Sequence, residues 1–214
     1  EKIGFIFPVH WYGPPKKILE FIDSLPGATS KYLFALAVSG GQVAKALIKL
    51  EKFINSKKMS LSAGFEIAMP SNYIIWQNAA PKELQEERFE KAKDKIKHIG
   101  AIVKTGKKEP LEKGALWENI LLSSLNPFFV KYVDKTDKNF WVNKKCSSCQ
   151  TCVKICPAKN IELKDNNPTW LHKCDKCLAC IQWCPQKAIE YGKRSVKFDR
   201  YHHPEIQLKE LIKY

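Results

Sequence analysis

All eight cysteines of this 214-residue chain lie in two short runs, "CSSCQTCVKICP" at 146–157 and "CDKCLACIQWCP" at 174–185. The second run repeats the first at an offset of 28 residues, from Cys146 to Cys174. The match extends past the thiols: Pro157, Lys159, Ile161 and Glu162 recur as Pro185, Lys187, Ile189 and Glu190. Self-similarity of this kind marks an internal duplication of a small folding unit.

Three chemistries use thiols at such density. Disulfides suit small secreted domains with too little core, whereas this chain is 44% hydrophobic and would crowd half-cystines two residues apart. Zinc takes four ligands in a tetrahedron, commonly from two separated C-x-x-C knuckles. Here three cysteines share one tight loop and a fourth follows three residues later, with proline next. A C-x-x-C-x-x-C loop folds round a bulky object and offers three thiolates to three of its corners. The fourth cysteine starts the next element and points away, toward a second object. That is the spacing of two-cluster bacterial ferredoxins.

The expectation is therefore two [4Fe–4S] clusters with crossed ligands. Cys146, Cys149, Cys152 and Cys184 would hold one; Cys174, Cys177, Cys180 and Cys156 would hold the other. Pro157 and Pro185 fix φ and remove an N–H just after each crossing ligand, ending the turn. Ile155, Ile161, Ile181 and Ile189 serve equally well as apolar lining of the clusters or as ordinary core.

The elements that position these runs fall into an N-terminal α/β region at 1–108, a connecting segment at 109–134, a two-cluster ferredoxin-like α+β domain at 135–195 and a tail at 196–214. "KIGFIFPVH" is a continuous apolar run and reads as a strand buried on both faces. "PPKKILEFIDSL" reads as a helix with proline in its first turn, and "KYLFALAVSGG" as a second buried strand. In "QVAKALIKLEKFINSK", Val43, Leu47, Leu50 and Ile54 form one helical stripe. "LSAGFEIAMP" supplies a third strand. "PKELQEERFEKAKDKIKHIG" is a long charged helix with Phe89, Ala92, Ile96 and Ile99 expected on its inner face. Strand–helix alternation predicts a parallel α/β sheet. The aromatic-rich stretch from Glu109 to Val133, broken at Pro127, is expected to bridge the domains, and "HHPEIQLKELIKY" to end in a short docking helix.

Ligands of open α/β sheets bind beyond the carboxyl ends of the strands. Two loops are expected there. "PVHWYGPP" offers aromatic faces for a flat ring; "VSGGQ" offers small residues and N–H groups at a helix start. No residue is assigned a catalytic role.

Lys and Arg number 36 against 22 acids, a formal charge of +14. Eight thiolates and two oxidised clusters lower this to about +10, so the loaded chain stays basic. The lysines are interspersed with acids, as on a solvated helix face, which argues against a nucleic-acid partner. A basic surface that steers an acidic redox partner protein accounts for the charge instead. No apolar run reaches membrane-spanning length, and thiolate-bound clusters fit a reducing, cytoplasmic interior.

The order of "GFIFPVHWYGPP", "FALAVSGG", "AGFEIAMPSNY" and the two cysteine runs resembles the flavodoxin–ferredoxin fusion proteins of anaerobic bacteria and archaea. The resemblance covers nearly the whole chain and implies a flavodoxin-like parallel sheet, able to carry FMN, followed by a two-cluster ferredoxin-like domain. By position, His10, Trp11, Tyr12 and Gly13 match that family's ring-contacting loop, and Ser39, Gly40 and Gly41 its second flavin loop. The sequence departs from the family at its start. It begins at Glu1 on what resembles the third strand, without the first strands or the hydroxyl-rich phosphate loop, so the sheet is expected to be incomplete. Two explanations stay open: an N-terminal part removed, unseen or supplied by another chain, or a family member that has lost its flavin.

The function expected is electron transfer through two [4Fe–4S] clusters, coupled to FMN if a flavin is bound. The alternatives are the redox part of a substrate-specific flavin-dependent oxidoreductase, and a basic nucleic-acid-binding protein with structural clusters.

Overall fold

A computed structural model describes residues 1–25, 31–114 and 131–212. The chain divides into two compact units. Residues 1–70 and 80–130 make the first; residues 71–79 and 131–214 make the second. Most of the stretch expected to bridge the domains, including Pro127, lies outside the described residues.

The first unit is a three-stranded parallel sheet in the order β1 (Lys2–Pro8), β2 (Tyr32–Ser39), β3 (Leu61–Ala68). Between the strands run α1 (Lys16–Asp23) and α2 (Ala46–Ser56), and after them α3 (Lys82–Thr105). Phe5, Phe7, Leu33, Ala35 and Ala37 form one face of the core with Ile22 of α1 and Val43, Leu47, Leu50 and Ile54 on and just before α2. Burying each phenylalanine there contributes roughly 2–3 kcal/mol. Ala63, Phe65 and Ile67 cover the other face with Ala92 and Ile99 of α3. Gly106, at φ +73°, closes α3 in the left-handed conformation that glycine adopts at least cost.

Two expectations are corrected here. β1 is not buried on both faces. It pairs with β2 alone among the described residues, and its side chains alternate, with Phe5 and Phe7 inside and Ile6 63% exposed. The reason is that the α3-side core is built on β2 and β3 residues, without β1. Phe34 partly covers that side: a Cβ on Gly4 would lie 2.3 Å from the Phe34 ring and would have to displace it. The inner stripe of α3 also differs from the expected one. Ile96 is 52% exposed. Between Ala92 and Ile99 the half-buried position is Lys95, whose Nζ reaches a Glu112 carboxylate oxygen at 2.7 Å. That same oxygen accepts the Glu66 backbone N–H at 2.7 Å, so the ion pair pins the chain after α3 to β3.

The second unit is built from two antiparallel ribbons. β4 (Phe140–Val142) pairs with β7 (Ile189–Tyr191), and β5 (Ile161–Lys164) with β6 (Asn167–Trp170). Two short helices, α4 (Thr151–Ile155) and α5 (Ala179–Gln182), follow the cysteine loops. The 28-residue duplication appears in the backbone itself. Positive φ recurs at Ser148 and Lys176 (56° and 53°), Gln150 and Leu178 (62° and 63°), and Lys159 and Lys187 (49° and 47°). Non-glycine residues hold such angles only where their surroundings over-determine them, and here the same loop geometry is built twice, once in each half of the repeat. A terminal α6 (Leu208–Leu211) is one turn long, capped reciprocally by Gln207 and Glu210.

Residues 71–79 belong to this unit. Ile74 and Ile75 are buried in its core, Gln182 Nε2 donates to the Asn72 carbonyl at 2.7 Å, and Asp199 N donates to Asn78 Oδ1 at 3.1 Å.

Candidate metal centre

The eight thiols sort into two cavities. Cys146, Cys149, Cys152 and Cys184 line one, with Leu163, Pro168, Pro185 and Ile189 around them. Cys156, Cys174, Cys177 and Cys180 line the other, with Phe140, Pro157, Ile161 and Trp170. Each run therefore supplies three sulfurs to one cavity and its fourth to the other. No group of three or more His, Cys, Asp or Glu side chains among the described residues is gathered as a site for one metal ion.

The crossing sulfurs are held alike. Asn160 N–H donates to Cys156 Sγ and Ala188 N–H to Cys184 Sγ, both at 3.2 Å, and Lys176 N–H donates to Cys174 Sγ at 3.2 Å. Such bonds favour the charged thiolate. Burial works against it, pushing the Cys152 and Cys177 thiols up to about 11 and Cys174 to about 12, with nearby thiolates adding to the rise. Cys180 is driven well above the ordinary thiol range by the same cause. At the exposed Cys149, burial raises the pKa, but hydrogen bonds from Thr151, Ser147 and its own backbone N–H together outweigh it and the net shift is downward. Burial thus favours the neutral thiol at Cys152, Cys174, Cys177 and Cys180, and metal loading of such a site releases protons.

The residues present fit an iron–sulfur group. All four donors of each cavity are thiols, the soft ligands that such clusters take. The indole N–H of Trp170, which lines the second cavity, is buried with no hydrogen-bond partner among the described residues. Ile161 and Ile189 line the cavities, while Ile155 and Ile181 are buried on α4 and α5.

Residues 145–189 match the family model of the 4Fe-4S dicluster domain. The chain carries a ferredoxin-like iron–sulfur domain. Comparison with curated proteins and with solved structures found no match.

Two polar networks brace this domain, and neither has a periodic signature in the sequence. Asp137, fully buried in the 3-10 turn Val133–Asn139, accepts from Asn160 Nδ2 at 3.0 Å and His172 N at 2.9 Å, and its other oxygen meets His172 Nδ1 at 2.7 Å. Asn160 Oδ1 in turn accepts the Lys173 N–H at 2.5 Å. One carboxylate thus ties the residue four after Cys156 to the residues just before Cys174. Asp137→Ala would orphan the buried Asn160 amide and release His172, and should destabilise this unit by about 1–3 kcal/mol, measurable as a fall in its denaturation midpoint. The second network is the buried pair of Glu190 and Arg200.

The loops singled out in the first unit lie beyond the carboxyl ends of β1 and β2. His10 and Gly13 exchange backbone hydrogen bonds of 2.9 and 3.0 Å, with Trp11 and Tyr12 at positive φ, 49° and 62°, in the tight turn between them. Ser39 Oγ donates to Glu66 Oε1 at 2.7 Å and accepts the Gly41 N–H at 3.0 Å, while Gly40 O accepts from Arg88 at 3.1 Å. Ser39 Oγ and the Gly40 carbonyl are thus engaged within the protein, while Gly40 and Gly41 themselves are exposed.

Burial pushes the His10 imidazole down to about 4 from its usual 6.5. The folded unit keeps this ring neutral while the unfolded chain begins to protonate near 6.5. Stability from this group is full above pH 6.5 and falls as pH drops toward 4, by roughly 1–2 kcal/mol after solvent screening of a partly exposed ring. Denaturant titrations at pH 7 and pH 4.5 should show that slope, and His10→Gln should flatten it.

Proposed function

We propose that this protein is an electron carrier whose ferredoxin-like domain holds two [4Fe–4S] clusters through crossed thiolates. Cys146, Cys149, Cys152 and Cys184 bind one; Cys156, Cys174, Cys177 and Cys180 bind the other. The observation that carries the reading is the sorting of eight thiols into two four-sulfur cavities, each drawing three from one run and one from the other. When bound, the clusters supply one-electron storage at potentials set by hydrogen bonding and burial.

The chain's own groups do the rest. Asn160, Ala188 and Lys176 aim backbone N–H groups at the sulfurs. Ile161, Ile189, Pro157 and Pro185 keep water from the cavities. Cys149 is exposed, which marks the first cavity as the route of exchange with a partner. That partner is a redox protein with an acidic face, drawn by the net positive charge of the loaded chain, about +10. The reading requires no flavin and no acid–base residue.

The test is an anaerobic redox titration of the full chain. Reversible uptake of about two electrons, one per cluster, is expected. Clusters that cannot be reduced and reoxidised without loss of iron would point to a structural role instead.

A further inference from the structure

The duplication makes the two cavities comparable position by position. Cys184, Pro185 and Ile189 of the first correspond to Cys156, Pro157 and Ile161 of the second, each pair 28 residues apart. Pro168 in the first likewise corresponds to Phe140 in the second. The ribbons keep the same register: Val142 pairs with Ile189 in β4–β7, and Trp170 pairs with Ile161 in β6–β5. Val142 and Trp170 are thus equivalent positions, 28 residues apart. One carries an isopropyl group. The other carries an indole that lines the cavity of Cys156, Cys174, Cys177 and Cys180.

The indole is fixed in place. Phe140 stacks on it, with centroids 5.2 Å apart and planes within 6°, and the strand register holds its backbone. Its N–H is nonetheless buried without a hydrogen-bond partner among the described residues. Trp141, one position before Val142, shows the ordinary outcome: its N–H donates to Gly192 O at 2.8 Å. Buried donors without acceptors are rare and call for an explanation. The cavity that the indole lines presents four sulfurs, those of Cys156, Cys174, Cys177 and Cys180, beside the side chains of Asn160 and Asp175.

Resting on the cluster assignment above, we propose that Trp170 Nε1–H donates to a sulfur of the cluster in the second cavity, so that the two clusters have unequal potentials. Such a bond stabilises the more negative, reduced state and raises the potential of that cluster relative to one without it. Val142 supplies no donor at the matching position. Electrons that enter through the exposed first cavity then run downhill to the second and reside there.

An EPR-monitored redox titration of the full-length holoprotein, compared with Trp170→Phe, tests this. One midpoint potential should move to a more negative value while the other stays unchanged. Two unmoved potentials, or two that shift together, overturn the proposal, the latter because general loosening acts on both sites. A second measurement uses the unsubstituted protein in case the variant loses iron. With 15N-labelled indole, electron–nuclear double resonance of the reduced protein should detect an indole nitrogen and its exchangeable proton coupled to a cluster, a nitrogen signal that Trp170→Phe removes. No such coupling contradicts the assignment. If the unsubstituted protein carries no clusters, the electron-carrier reading itself fails; clusters with unmoved potentials sink only the role of Trp170.

Discussion

Cys184→Ala should strip iron from the cavity built mainly by the other cysteine run. Cys184 closes the second run in sequence but lines a cavity with Cys146, Cys149 and Cys152. Removing it should lower iron from about eight to about four atoms per chain, with one cluster signal left. The decisive form is a pair of double variants. Cys184→Ala combined with Cys146→Ala should lose nothing further, because both residues serve one cavity. Cys184→Ala combined with Cys174→Ala should lose both clusters. If each run held its own cluster, these two outcomes would be exchanged.

Arg200→Ala is the substitution expected to damage the fold most without touching a thiol. Arg200 and Glu190 are 5% and 7% exposed at the side chain, with Nη2 and Oε1 2.8 Å apart. The same Nη2 donates to Ile189 O at 2.8 Å, so the guanidinium also fastens the residue that lines the first cavity. Glu190 Oε2 takes a further bond from Ser195 Oγ at 2.5 Å. Losing the cation leaves a buried carboxylate with a hydroxyl for company, a loss of about 3–5 kcal/mol. Replacing both partners with apolar residues of similar volume should restore much of it, because a buried pair is worth little against a packed apolar alternative. Denaturation of the single and double variants checks both statements. Equal loss in the two would show that the arginine acts through packing rather than charge.

What the sequence made readable follows from periodicity. The three strands, the three helices of the first unit and the stripe of Val43, Leu47, Leu50 and Ile54 all come from apolar spacing, and all four stripe residues are buried. The iron–sulfur character of residues 145–189 comes from cysteine spacing, which the backbone geometry of the bound group dictates. The failures share a cause as well. An apolar run cannot reveal whether its outer face will be covered, so β1 read as doubly buried although Ile6 faces outward. On α3, a lysine with a long apolar stem and an ion-pair partner occupies the inner stripe in place of Ile96.

The groups that brace the second unit left no such trace. Asp137 and Arg200 are single charged residues among many in a chain with 36 lysines and arginines, and only their burial marks them. Residues 71–79 follow β3 directly, yet Ile74 and Ile75 sit in the core around the cysteines. Long-range packing of that sort has no local signature. Trp170 does have a sequence signal: it stands at the 28-residue offset from Val142, in the strand that precedes its cysteine run.

Iron, acid-labile sulfide and zinc, quantified together on the anaerobically purified, unsubstituted chain, test the central claim most directly. Two four-iron clusters predict about eight iron and about eight sulfide per chain, with zinc absent. About two zinc ions per chain without sulfide would contradict it, because thiols gathered round single ions neither store nor pass electrons.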